Sequence, residues 1–317
     1  MLKAEGFCRE PVNAALTLIP LRSVYLDEIG RGEMHMTRSA ARCSSHFFIS
    51  ALIFALLVTQ APAQSPKLSN VDLCDGKDRT SPSLQILGCS SLIKSSVNDP
   101  KVLASAYNNR GNAFTSEGRY DLAIRDYDQS IKLDPRFAKP FNNRGVAHQK
   151  RGEYDYAIDD FDAAISVEPT YANAFANRAE TYQKKGDFPH ALKDFDEAIR
   201  LKPTSAALWN ERCWTRAIVG ELESALADCN EALRLEPNVA VIFDSRGLTY
   251  LKLDQWEAAL ADFNSALQLD PKLAGARYGR GYAKLKKGDV VGGKADIAAA
   301  RIIEPNIVAE FDRYGLH

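Results

Sequence analysis

The chain has 317 residues, of which 45% are hydrophobic and 26% charged, and its formal net charge is −1. This length and balance exclude a disordered chain, and the near-neutral charge argues against a nucleic-acid partner, which needs a basic excess or stripe. Five histidines leave little for zinc binding or histidine-based catalysis. Composition therefore indicates an ordered, soluble class of protein and no particular function.

The first predicted element is an export signal over residues 34–63. Residues 47–58 form an unbroken run of twelve apolar residues, whereas a membrane-spanning helix needs about 20. Arg38 and Arg42 precede the run, and a small-x-small sequence ending at Ala63 follows it. This arrangement is typical of a secretory signal peptide cleaved after Ala63. The alternative is an uncleaved membrane anchor.

Residues 1–33 do not fit a signal of this kind, because they contain five acidic residues and show no helical or strand period. We therefore expect translation to start at Met34 or Met36 and residues 1–33 to be a mis-assigned extension. Export would place the mature chain in the periplasm of a Gram-negative bacterium, or outside the cell in another organism.

Residues 64–103 form an N-terminal segment with two cysteines. Cys74 lies in a stretch predicted to be irregular, and Cys89 lies on a short helix that begins near Ser81 and Pro82, since serine caps helices well and proline suits the first turn. Four cysteines remain after cleavage, and an even number in an exported protein suggests disulfides. A Cys74–Cys89 bridge would tie this segment, a degenerate leading half-repeat, to its helix.

A period of 34 residues then fills residues 104–307 without a gap. Each unit has the pattern of two amphipathic helices with a proline after the second, and in the first unit Gly118 lies between the two helices. In the first unit we predict helices over about 104–117 and 121–133. The six units are 104–137, 138–171, 172–205, 206–239, 240–273 and 274–307.

The aromatic, glycine, alanine and proline positions of these units resemble those of the tetratricopeptide repeat family. The resemblance implies an all-α fold, a right-handed superhelical solenoid of six helix-turn-helix repeats. Its first helices (A) would line a concave groove, and its second helices (B) would pack behind them. We expect a short N-terminal segment tied by a disulfide and a C-terminal capping helix at 308–317.

Arginine recurs at the seventh position of all six units, and aspartate recurs at the twenty-third. Because these positions lie on helices A and B of one unit, we interpret them as ion pairs that fix the repeat geometry. The alternative is an arginine track for an anionic ligand. The predicted pairs are Arg110–Asp126, Arg144–Asp160, Arg178–Asp194, Arg212–Asp228, Arg246–Asp262 and Arg280–Asp296.

Cys213 and Cys229 occupy the eighth and twenty-fourth positions of one unit, on facing helices. Packing of the two helices could bring them within disulfide range, so we expect a second bridge. The alternative is volume compensation, in which one position grew as its neighbour shrank.

Asparagines collect on the inner face of helix A in the first three units. An asparagine amide both donates and accepts, so a ladder of them could pair with the backbone of an extended peptide, similar to the ladders of peptide-binding family members. The alternative is that they cap or solvate helices. The residues are Asn108, Asn109, Asn112, Asn142, Asn143 and Asn177.

In the C-terminal half the same face becomes apolar, with Trp214, Leu248 and Tyr282 at the ninth position. They would form an interaction patch or pack between successive A helices. Chaperone-binding family members clamp a terminal carboxylate with a lysine where this chain has Asn108, so capture of a carboxyl terminus is doubtful.

These features predict a non-enzymatic protein that binds a peptide segment or protein partner in the groove, as an adaptor or assembly factor. The alternative is a structural spacer or self-associating scaffold. No catalytic residue, metal site or cofactor is predicted, nor a nucleic-acid partner, nor a stable membrane span after signal cleavage. Residues 288–294 match part of a phosphate-binding loop, but the required preceding strand is missing, so no nucleotide is expected.

Overall fold

A computed structural model describes residues 69–77 and 80–316. The predicted extension (1–33) and signal peptide (34–63) lie outside these residues, so both stay predictions. The described residues belong to one structural unit, residues 64–317.

Within the described residues there are fifteen α-helices. A short hairpin (α1, α2) precedes six antiparallel pairs, in which the odd-numbered helices α3 to α13 are the A helices and the even-numbered helices α4 to α14 are the B helices. Their bounds are α1 Asn70–Cys74, α2 Pro82–Lys94, α3 Pro100–Ser116, α4 Tyr120–Leu133, α5 Ala138–Lys150, α6 Tyr154–Val167, α7 Ala172–Lys185, α8 Phe188–Leu201, α9 Ala206–Val219, α10 Leu222–Leu235, α11 Ala240–Lys252, α12 Trp256–Leu269, α13 Ala274–Lys286, α14 Val290–Ile303 and α15 Ile307–Arg313.

The N-terminal hairpin differs from the sequence prediction in one respect. Cys74 ends a helix, and the prediction of an irregular stretch there was wrong. A capping box forms the helix, because the Asp72 backbone N–H donates to Ser69 Oγ at 3.1 Å while the Asp72 carboxylate accepts from the Ser69 backbone. The second helix begins after its predicted cap, Ser81.

Each repeat is held by close approach of its two helices. A Cβ added at Gly145 would lie 2.7 Å from Cε1 of the Phe161 ring, so glycine at this position lets helix A rest on the aromatic side chain of helix B. The turn between the helices needs a left-handed residue, and Gly118 supplies it with φ +72°. In the first repeat α3 begins four residues before the predicted 104, because Asp99 caps it and Pro100 fills its first position.

The pairs stack into the predicted solenoid. Each B helix contacts the A helix of its own repeat, and the first five B helices also contact the A helix of the next repeat. The A helices also contact one another, as α3 does with α5 and α9 with α11, so they form the inner layer. The last helix, α15, contacts α13 and α14. No helix among those described is both long enough and apolar enough to cross a lipid bilayer.

Candidate binding groove

The asparagines form a hydrogen-bonded ladder across the A helices. Asn143 Nδ2 donates to Asn108 Oδ1 at 3.0 Å, and Asn177 Nδ2 donates to Asn142 Oδ1 at 2.8 Å. Within one helix, Asn108 Nδ2 donates to Asn109 Oδ1 at 3.2 Å. Asn108 and Asn142 are buried. The ladder thus links the first three repeats. A peptide backbone that bound there would replace hydrogen bonds that these amides already make with one another.

Two further contacts anchor the ladder at its N-terminal end. Asn112 Oδ1 accepts from Asn143 Nδ2 and from the Tyr127 hydroxyl, each at 2.9 Å. Asn109 Nδ2 donates to Asp75 Oδ1 of the N-terminal hairpin at 3.4 Å. The hairpin is therefore joined to the inner face of the array.

The ladder stops after the third repeat because the residues that build it change. The fifth position of that repeat is Ala176, and the sixth position of the next is Glu211. Asn210 is buried, and its Oδ1 has no hydrogen-bond partner in the described part of the chain. Ser245 stands where an asparagine would donate to it, and the Ser245 hydroxyl donates to the Val241 carbonyl at 3.0 Å instead. Asn210 is thus a buried acceptor without a donor.

A cavity of about 520 Å³ opens at this point, across α7, α9 and α11. It combines amide, carboxylate and indole groups, the mixture typical of ligand sites on proteins. Its lining residues are Glu180, Gln183, Lys184, Asn210, Glu211, Trp214, Val241, Asp244 and Ser245.

Carboxyl groups dominate the electrostatics of the cavity. Burial raises the pKa of Asp244 from 3.8 to about 7. Burial also raises the pKa values of Glu211 and Glu180. The neighbouring Glu180 carboxylate raises the pKa of Glu211 further. A hydrogen bond from the Gln183 side chain lowers the pKa of Glu211, and the ammonium group of Lys184 lowers the pKa of both glutamates. The cavity therefore holds carboxylates that lack full compensation.

The apolar C-terminal half of the groove is covered by α15. The Trp214 and Tyr314 rings meet edge to face, with centroids 5.5 Å apart. Leu248 is only 4% exposed, and Tyr282 packs in the same cluster as Phe311. A partner would reach Leu248 only after α15 moves away. The sequence predicted this terminal helix as a cap and gave no indication that it fills the groove.

A smaller cavity of about 150 Å³ remains between α15 and the A helices. Asp244 and Trp214 line it as well as the larger cavity. Glu304 and Glu310 enter it from the C-terminal segment, and burial raises the pKa of Glu310, with a further increase from Glu304. The acidic character therefore continues beneath α15.

The arginine and aspartate series lie at the contact between helices A and B. In all six repeats the guanidinium of the arginine binds the carboxylate of its own repeat, with a shortest N–O distance of 2.6 or 2.7 Å. The pairs are Arg110–Asp126, Arg144–Asp160, Arg178–Asp194, Arg212–Asp228, Arg246–Asp262 and Arg280–Asp296. The aspartates are buried.

Each arginine also binds a residue of the preceding unit. Arg212 Nη1 lies 2.7 Å from Asp196 Oδ1, and Arg246 Nη1 donates to Asn230 Oδ1 at 2.8 Å. Arg110 donates to Ser90 in the N-terminal hairpin at 3.0 Å. The series therefore joins neighbouring repeats as well as the two helices of one repeat, and its guanidinium groups are occupied by the protein itself.

The four cysteines among the described residues form two disulfides. Cys74 is bonded to Cys89 with a Cα–Cα distance of 4.5 Å, and Cys213 is bonded to Cys229 with a Cα–Cα distance of 5.4 Å. The first bridge joins α1 to α2, and the second joins α9 to α10. The second lies in the repeat that contributes Asn210 to the cavity.

Sequence reasoning did not identify the acidic residues of the cavity. Asp244 stands at the fifth position, where three of the four earlier repeats have asparagine, and Glu211 stands at the sixth, where all three earlier repeats have it. These departures from the ladder pattern are visible in the sequence. Their burial and their shared cavity are not, because both depend on how three repeats and α15 pack.

The helix pairs and their inner groove define a class, the all-α solenoids that act as protein–protein interaction scaffolds. Matches to family models identify the family within this class. The model described as "TPR repeat" matches residues 111–152 and 247–288, and the model described as "Tetratricopeptide repeat" matches 138–171 and 172–205. The chain belongs to the tetratricopeptide repeat family.

Solved structures support the same fold. The Cut9–Hcn1 hetero-tetramer of the APC/C matches with a TM-score of 0.61 and 17% identity, over 78% of this chain and 51% of that chain. A tetratricopeptide repeat protein from Parabacteroides merdae matches with a TM-score of 0.59 and 16% identity, over 78% and 98% of the two chains.

The pilF protein of Pseudomonas aeruginosa matches with a TM-score of 0.58 and 15% identity, over 67% of this chain and 98% of that chain. This chain thus spans about half the length of the Cut9–Hcn1 chain, and at these identities the similarity shows the fold alone. No curated protein matches the sequence.

Proposed function

We propose that this chain is a non-enzymatic interaction protein that binds a peptide segment or protein partner on the concave face of its A helices, as an adaptor or assembly factor. The cavity across α7, α9 and α11 carries the proposal, because it combines an indole ring and charged groups with the unpaired amide oxygen of Asn210. The partly exposed amides of Asn109, Asn143 and Asn177 extend this surface toward the N-terminal repeats.

Site-specific photo-crosslinking tests where the partner binds. A benzophenone amino acid replaces Lys184 at the cavity or, as a matched control, Lys193 on the B helix α8. Both lysines are exposed. In the full chain produced in its source organism, we expect partner adducts from position 184 and none from position 193. Equal adducts from both positions, or adducts from position 193 alone, would contradict the proposal.

One observation favours the second candidate, a spacer or self-associating scaffold. The chain's own α15 covers the apolar half of the groove, where Trp214 meets Tyr314 and Leu248 is buried. If this candidate is correct, crosslinking yields only adducts between copies of the chain, or none. Sedimentation would then show either reversible self-association or a monomer without partners.

We further propose that the chain is exported. The apolar run at 47–58 with its small-x-small site before Gln64, together with the two disulfides, supports this proposal. N-terminal sequencing of the protein from the cell envelope should begin at Gln64, with no free thiol after denaturation. A protein that retains residues before 64, or four free thiols, would refute it.

A further inference from the structure

The charges that line the larger cavity are unequal. Glu180, Glu211 and Asp244 contribute carboxyl groups, and Lys184 contributes the only cationic lining group in the described part of the chain. With all four ionised, the lining has three negative charges and one positive charge. By contrast, each buried aspartate at the twenty-third position has an arginine partner, as Asp194 has Arg178. The carboxylates of this cavity thus lack the matching cations that the buried aspartates have.

Desolvation makes this excess of negative charge energetically unfavourable unless a further cation enters the cavity. A carboxylate removed from water is destabilised unless a cation or hydrogen-bond donor compensates it. Burial is the cause that raises the pKa of Asp244 to about 7, and Glu180 adds its repulsion to the burial of Glu211. A cation that enters the cavity would oppose both effects on every carboxylate it approaches, whereas a neutral donor would compensate only the carboxylate to which it donates, and an anionic group would add to the repulsion.

The interrupted asparagine ladder supplies a second, independent observation. In the first repeats the amide oxygen at the fifth position accepts an N–H from the next repeat, as Asn108 does from Asn143. Asn210 lacks this donor, because Ser245 is shorter and donates to its own helix. Both residues line the cavity. An occupant that carries N–H groups would supply the missing donor.

Trp214 provides an aromatic wall. Its indole lines the cavity and is fixed by its edge-to-face contact with Tyr314. Indole faces attract ammonium and guanidinium groups. Lysine and arginine side chains carry only donors and a positive charge, so they match the carboxylates, the orphan amide oxygen and the indole together.

We infer that this cavity receives a lysine or arginine side chain of the bound polypeptide. The inference rests on the proposed function and specifies the chemistry of the partner, which is a basic segment. The Asn210 amide oxygen accepts one of its N–H groups, and the carboxylates of Glu211 and Asp244 neutralise its charge.

Selection from a phage-displayed library of random dodecapeptides, with the mature chain 64–317 as target, tests the inference. We expect the selected peptides to share a lysine or arginine at one fixed position. Calorimetric titration then compares a selected synthetic peptide with its norleucine analogue at that position. We expect the analogue to bind about tenfold more weakly or worse, since it lacks the charge and the donors.

A charge-matched pair of double variants locates the effect. Glu211→Gln/Asp244→Asn should abolish the difference between the peptide and its analogue. Asp159→Asn/Glu223→Gln removes the same charge from exposed positions of the B helices α6 and α10, and it should leave the difference intact. Circular dichroism melts confirm that both variants fold.

The outcomes separate the inference from the function on which it rests. Selected peptides without a fixed cation, or a difference that survives Glu211→Gln/Asp244→Asn, would overturn the inference. So would a selection that yields no binder. If crosslinking at position 184 still captures a partner in these cases, groove binding stands and only the cationic partner is refuted. If crosslinking at that position also fails, both are refuted.

Discussion

Replacing Arg178 with methionine removes a guanidinium that joins three helices. It binds Asp194 on α8 through two hydrogen bonds of 2.7 Å, and it also binds Asp162 on α6. Its guanidinium carbon lies 5.6 Å from the centre of the Phe175 ring. The Asp194 side chain is 5% exposed, whereas that of Asp162 is 53% exposed. The two carboxylates therefore depend on Arg178 to very different degrees.

Loss of the cation leaves Asp194 buried and unpaired, which typically destabilises a protein by about 3–5 kcal/mol. Asp162→Ala removes only the exposed half of the interaction and should cost less than about 1 kcal/mol. Urea unfolding followed by circular dichroism at pH 7 measures both changes.

A compensating variant tests the reasoning further. Arg178→Met/Asp194→Leu replaces the ion pair by apolar groups and should recover most of the loss. If Arg178→Met were no more destabilising than Asp162→Ala, the structural role assigned to the arginine series would be refuted.

Three further predictions concern stability. The pKa of Asp244 is raised to about 7 from 3.8, so its contribution to stability is fully present below about pH 4 and is lost as the pH rises through 7. Asp244→Asn should therefore stabilise the protein at pH 8 by up to about 4 kcal/mol and not at pH 4. Equal effects of the substitution in thermal melts at the two pH values would contradict this prediction. Gly145→Val adds a side chain where even a Cβ atom would lie 2.7 Å from the Phe161 ring, so it should lower the free energy of unfolding by about 1–3 kcal/mol through overpacking. An unchanged midpoint in urea unfolding would contradict the close packing of the two helices at this position. Cys213→Ala/Cys229→Ala opens a bridge between residues 16 apart and should lower the free energy of unfolding by about 3 kcal/mol. Reductant, which also opens the Cys74–Cys89 bridge, should lower the urea midpoint of the natural chain at least as much, and a double variant as stable as the natural chain without reductant would contradict a stabilising bridge.

The sequence predicts the fold well because the interactions that build it recur every 34 residues. The arginine of each unit meets an aspartate sixteen residues later, as Arg178 meets Asp194, and a small residue such as Gly145 faces an aromatic one such as Phe161. A single contact of this kind would be weak evidence. Six copies of the arginine–aspartate contact in register, with the small-against-aromatic contact in most repeats, define the helix pairs and their stacking.

The candidate site could be predicted only in part, because it arises where the repetition fails. The asparagine ladder was visible as a pattern, but the unpaired amide oxygen of Asn210 depends on the change to Ser245 in the next repeat. The cover over the apolar groove depends on α15 folding back so that Tyr314 meets Trp214, a contact between residues 100 positions apart in a segment without a period. Neither packing detail follows from local propensity.

Amide hydrogen exchange of the mature chain, with and without a selected peptide or captured partner, shows directly whether the partner binds in the groove. We expect binding to protect backbone amides of α7, α9 and α11, the A helices that line the cavity. Protection confined to the B helices α8, α10 and α12 would contradict it, since the partner would then lie on the opposite face of the solenoid.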